Sequence, residues 1–241
     1  FKPFLRQQER MFLLFFLPNL APEGLSSKEM QATVNADRIN FNFVQDGNVV
    51  DLPYYGIQKL CLKIFGLTFY SVKLPSIIFG VFTAFFLVLL LNRWFKSDVA
   101  LIGSALTTLS TAFLCLANFG TPSIMYVFWL AFILWLGSKI VGNNKIQPFF
   151  VILFTSAMAF SLYTPYLCYV ALIILIMGII HPHLRASLKR LKPYHFIISI
   201  AILVLALCPL IISISFHPAI LKTLAFTDNF SFASYKQNIN D

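Results

Sequence analysis

Apolar stretches at 72–91, 99–117, 122–141, 148–163, 165–180 and 194–216 fill most of the chain beyond residue 71. Each runs close to, or somewhat short of, the roughly 20 apolar residues a helix needs to cross hydrocarbon. A shorter apolar run at 11–20 precedes them. It reads as a signal-peptide core or as a first helix starting near Phe4, and both readings send the next segment to the same side of a membrane. Thr164-Pro165 divides one long apolar stretch. Proline lacks an N–H and disfavours helix in the residue before it, so two short helices joined by a tight turn are predicted there.

The polar segment 21–71 interrupts this pattern. It holds Glu23, Glu29, Asp37, Asp46 and Asp51, five of the nine acidic residues. Acid–base chemistry is therefore expected there, because an unpaired carboxylate in hydrocarbon costs several kcal/mol or neutralises. A helix is predicted over 26–40, with Ser26 as its cap, Glu29 three residues on in capping-box spacing, and Met30, Val34 and residues 36–39 on a partial apolar face. Gln45-Asp46-Gly47-Asn48 signals a turn. Asp51-Leu52-Pro53-Tyr54-Tyr55 reads as extended, and the aromatic-rich stretch 60–70 suits a membrane interface.

Composition narrows the class. The chain is 59% hydrophobic and 11% charged, against about 25% charged in soluble domains, so an all-α polytopic transmembrane helix bundle is expected. The whole of 1–241 is read as a single transmembrane domain, with 21–71 a part-helical extracytoplasmic first loop and 217–241 an outer tail. The net charge of +9 does not indicate nucleic acid, because the basic residues lie at the ends of apolar segments. With the Thr164-Pro165 split, 11 of the 18 fall on one side in short connections, which makes that side cytoplasmic and keeps Arg185, Lys189, Arg190 and Lys192 inside. Cys61, Cys115, Cys168 and Cys208 form no CxxC pair, so no disulfide frame or zinc site is expected.

Glu29 is a candidate general base or orienting carboxylate, against the alternative of a capping acid on a solvated helix. Asp51 is the second candidate, against a turn residue. Lys59 and Lys73 are candidates for contact with a lipid phosphate, against snorkelling to headgroups. His181-Pro182-His183 reads as a turn rather than a metal site. Asn229-Phe230-Ser231 fits a glycosylation acceptor pattern. No predicted span carries an acid at its middle, which argues against an ion-coupled pump.

The order of these features resembles the integral-membrane GT-C glycosyltransferases. A short first helix is followed by an acid early in the outer loop and by Pro53-Tyr54-Tyr55. Phe65-Gly66-Leu67 and Lys73-Leu74-Pro75-Ser76 come next. The branch resembled is that of the protein mannosyltransferases and lipid A aminoarabinose transferases, over 24–141 and more loosely beyond. Where that family has Asp-Glu this chain has Lys28-Glu29, so Glu29 alone carries over. The arginine of the family's Arg-Leu-Pro-Ser is Lys73, and the later outer acid has no counterpart at 118–123. Family members are about twice this length, so the chain is expected to be an N-terminal piece or a divergent member.

The resemblance implies a sugar transferase of the bacterial plasma membrane that uses a polyprenyl-phosphate donor and an extracytoplasmic acceptor. It needs no cofactor beyond that lipid-linked sugar and no metal. Glu29 and Asp51 would be catalytic, and Lys59, Lys73, Tyr54 and Tyr55 would bind substrate. The alternative is a non-catalytic polytopic protein: a lipid-carrier binder, a transport component or a degenerate scaffold.

Overall fold

The computed structural model describes residues 25–39, 43–141, 148–180 and 193–225, and every regular element among them is an α-helix. The described residues divide into two compact units. One is made of residues 25–39 and 53–138, the other of 43–52, 139–141, 148–180 and 193–225. The apolar run at 11–20, the basic cluster at 185–192, the His181-Pro182-His183 turn and Asn229-Phe230-Ser231 lie outside the described residues.

The first unit begins with α1 (Ser27–Asp37), whose capping box forms as its spacing predicts: the Ser26 hydroxyl accepts from Glu29 N and the Glu29 carboxylate accepts from Ser26 N. Its buried stripe is Glu29, Ala32 and Ala36; of the residues expected on the apolar face Ala36 is buried, whereas Met30 and Val34 are exposed. Small alanines let that side of the helix approach its neighbours closely, and the carboxylate finds partners there.

Residues 52–55 form the start of α2 (Leu52–Phe65), not an extended segment. Proline is tolerated in a first helical turn, where an N–H has no intrahelical partner in any case, so Pro53 does not prevent the helix. Tyr54, Gln58 and Cys61 are its buried residues, at helical spacing along one face. It ends at Gly66, whose φ of 71° few residues other than glycine adopt.

Helix α3 (Phe69–Trp94) follows, capped by Thr68 and Ser71. Its 26 residues extend about 39 Å, more than the hydrocarbon thickness of about 30 Å. Phe79 and Phe86 of α3 pack on Phe128, Phe132 and Trp135 of α6 (Ile124–Val141), with ring centroids 4.5 to 5.2 Å apart for the close pairs. The Arg93 guanidinium ties the far end of α3 to the Ser138 carbonyl at 2.8 Å. The apolar stretch 99–117, expected to be one span, is two helices, α4 (Ser97–Leu109) and α5 (Thr111–Asn118), bent by 59°. Ser110 sits at the break with ψ 139° and turns its hydroxyl to the N–H of Phe113.

In the second unit α7 (Pro148–Ser161) packs mainly on α9 (Pro193–Phe216), with α8 (Leu167–Ile180) and α10 (Ala219–Ala225) beside them. The helix break predicted at Thr164-Pro165 is present between α7 and α8, and Tyr166 there has φ 62°. The unit's core gathers Val49, Tyr163, Leu210, Ile220 and Leu224. Polar ties hold the pieces around it: Tyr166 N donates to Leu224 O at 2.9 Å, and the Tyr169 hydroxyl donates to Ala225 O at 2.8 Å.

Among the described residues, α3 and residues Ile197–Phe216 of α9 are long and apolar enough to cross a membrane, and the bent α4–α5 pair makes a third such length. Ile124–Ile140, Pro148–Ser161 and Leu167–Met177 are apolar but shorter.

Candidate functional site

Glu29 is the centre of a polar knot in the first unit. It is 1% exposed, and each carboxylate oxygen accepts a backbone N–H: Oε2 from Ser26 at 2.8 Å and Oε1 from Gly120 at 2.9 Å. The second bond joins α1 to the loop between α5 and α6. Gly120 can present its N–H there because it lies flat against α3; a Cβ at this position would stand 2.9 Å from both Val72 O and Val72 Cγ1. The Val72 carbonyl also meets Gln58 Nε2, at 3.5 Å.

The Leu74-Pro75-Ser76 block supplies the next link. The Tyr54 hydroxyl of α2 lies 2.7 Å from Ser76 Oγ, and Ser76 Oγ donates to Thr121 O at 3.2 Å. Tyr54 is fully buried and stacks on Phe79. Tyr55 accepts from Asn35 Nδ2 of α1 at 3.5 Å. Glu29 and Ser76 thus fasten adjacent residues of one loop, Gly120 and Thr121. Gln58 Oε1 and Asn118 Oδ1 are buried and have no hydrogen-bond partner among the described residues. Removing the Tyr54 hydroxyl (Tyr54→Phe) is expected to cost about 1 kcal/mol. Thermal unfolding of Tyr54→Phe, Ser76→Ala and the double variant should give a coupling of about 0.5 kcal/mol or more; additive losses would mean that the two hydroxyls do not act together.

The two lysines differ. Lys59 donates to the carbonyls of Asp37, at 3.2 Å, and Ile39, so it closes the C-terminal end of α1. Lys73 is half-buried near the start of α3, and no partner for its ammonium is found among the described residues. The structure therefore gives the two candidate phosphate contacts different surroundings.

Asp51 belongs to the second unit. It is buried, has φ 53°, and donates its N–H to Tyr163 O at 2.8 Å. Burial pushes its carboxyl up to about 7, and the neighbouring Thr164 hydroxyl opposes that rise. The two side chains nonetheless make no well-formed hydrogen bond, since Asp51 Oδ1 and Thr164 Oγ1 are both buried without a partner. The desolvation is the stronger effect, as a single hydroxyl replaces only part of a carboxylate's hydration.

Sequence reasoning singled out Glu29, Tyr54 and Tyr55, which lie in the first unit with hydrogen-bond partners as described. It missed the roles of Gly120 and Gln58. A glycine between two apolar stretches was the available signal for the first; nothing in the sequence marked the second. Among the described residues no three His, Cys, Asp or Glu side chains gather as metal ligands.

Residues 53–212 match the family described as dolichyl-phosphate-mannose-protein mannosyltransferase. No curated protein and no solved structure matches the chain.

Proposed function

The chain belongs to the dolichyl-phosphate-mannose-protein mannosyltransferase family, and from that premise we propose that it transfers a sugar from a polyprenyl-phosphate donor to an extracytoplasmic acceptor. The family match carries this reading. An integral-membrane, multi-pass chain fits it physically: a lipid-linked donor arrives along the bilayer, so no nucleotide-binding domain is needed. In this reading Lys73 holds the donor phosphate, and Glu29 orients the acceptor side of the site through the loop it fastens. Lys59 and Tyr54 shape the site from behind.

The test is transfer from polyprenyl-phosphate mannose by the full chain in membranes. Lys73→Met keeps the stem and removes the charge. It should raise KM for the donor roughly 10-fold or more, the worth of one charge-assisted hydrogen bond, with little change in kcat. An unchanged KM would remove Lys73 from the donor site.

One observation favours a second reading, a non-catalytic member that only binds the carrier. Glu29, alone at the position of the family's acidic pair, already accepts a backbone N–H on each oxygen. Binding of the donor without transfer would establish that reading.

A further inference from the structure

Asp51 combines features that rarely coincide without a use. Its backbone occupies the left-handed region, uncommon outside glycine though tolerated by Asp and Asn. Its carboxyl is buried beside the Thr164 hydroxyl, and Asp51 Oδ1 and Thr164 Oγ1 are each without a partner. A proton on the carboxyl removes the charge that burial disfavours. An ionised carboxylate in the same place would be poorly solvated.

Among the described residues no cation offsets that cost. The groups nearest along the packed elements are Tyr163, Thr164 and Tyr166 at the α7–α8 break, Cys168 and Tyr169 on α8, and Cys208 on α9. On the far side are His217 and Lys222, with Asp46 on the segment itself. Lys222 and Asp46 are exposed, and the His217 ring is engaged by the Gln45 carbonyl at 2.6 Å. Burial raises the carboxyl, and the Thr164 hydroxyl partly opposes that rise.

We propose that protonation of Asp51 seats the segment 43–51 on the break between α7 and α8, and that loss of the proton releases it. The seat is made of the Asp51–Tyr163 backbone bond, the burial of Val49 in the unit's core and the His217–Gln45 contact. The segment leads directly into α2, so its release frees the start of that helix. Sugar transfer is not assumed, and the device stands or falls apart from it.

The direction follows from proton linkage. The seated state holds a proton up to about pH 7, whereas an open, hydrated Asp51 would titrate near the ordinary 3.8. Seating is therefore full below the ordinary value, weakens as pH rises towards about 7, and is weakest above it.

Hydrogen exchange of the Asp51 amide, followed in the full chain in membranes without substrate, reads the seat directly. After correction for chemical exchange, protection should fall roughly 30-fold between about pH 5.5 and about pH 8.5. Asp51→Asn, which also tolerates the left-handed backbone, should show protection independent of pH. Thr164→Val should move the midpoint upward, because the hydroxyl opposes the rise. Protection of the unaltered chain that ignores pH, or a Thr164→Val midpoint that does not move, would overturn the proposal. So would an Asp51→Asn protein that keeps the full slope.

Discussion

Glu29→Gln is expected to lower sugar transfer by roughly 10²–10⁴-fold, the range lost with a proton-handling or orienting carboxylate. Stability should fall by about 1–3 kcal/mol, because a buried donor is left unpaired. Glutamine has one acceptor oxygen. It can keep the Gly120 N–H or the Ser26 N–H, and its amide nitrogen then faces the other donor. Ser26→Ala is the control, since it removes the cap hydroxyl and leaves the carboxylate. It should cost about 1 kcal/mol and leave transfer unchanged. Transfer measured beside thermal unfolding separates the roles. If Glu29→Gln folds and transfers at the original rate, the carboxylate is a cap and a latch and nothing more.

Gly120→Ala should damage the first unit through a single methyl group. The added Cβ would meet Val72 O and Val72 Cγ1 at 2.9 Å, and a backbone oxygen inside a helix cannot swing aside as a side-chain tip can. A loss of about 1–3 kcal/mol is expected, as for other overpacked sites. The shift also draws the Gly120 N–H away from Glu29, so transfer should fall with stability. Gly56→Ala is the matched comparison: apart from its chain neighbours and the backbone of its own helix, nothing lies within 4 Å of its added Cβ, and the residue is inside α2. There the same change should stabilise by about 0.5–1 kcal/mol. Thermal unfolding of both variants in one detergent gives the contrast, and equal effects would mean that the loop does not close on α3 as described.

What could be read from the sequence was mostly local. Ser26 and Glu29 stand three apart, and that spacing alone specifies a capping box, which forms. Thr164-Pro165 marked a helix end because proline's constraint acts on its immediate neighbours. The same reasoning misjudged Pro53, since a proline that breaks a helix interior fits a first turn, and the sequence does not say which position it will take. The break at Ser110 carried a fainter signal. Thr107, Thr108, Ser110 and Thr111 cluster there without Gly or Pro, and such hydroxyls compete for backbone groups. Thr107 and Thr108 do turn back onto the carbonyls of Gly103 and Ser104. Long-range partners left no trace of this kind. Nothing adjacent to Glu29 points to Gly120, and nothing adjacent to Asp51 announces Thr164.

The bond from Gly120 to Glu29 spans 91 positions, and that interval is also a wait. At roughly 5–20 residues per second of synthesis, α1 exists for on the order of 5–20 s before its distant partner has been made. Throughout that time one carboxylate oxygen lacks its eventual donor. The bond to Ser26 is available at once, three residues away. The local cap therefore has a task that the finished protein conceals: it keeps a short helix folded while the rest of its site is being translated. Weakening it should cost more in yield of assembled protein than in the stability of what assembles.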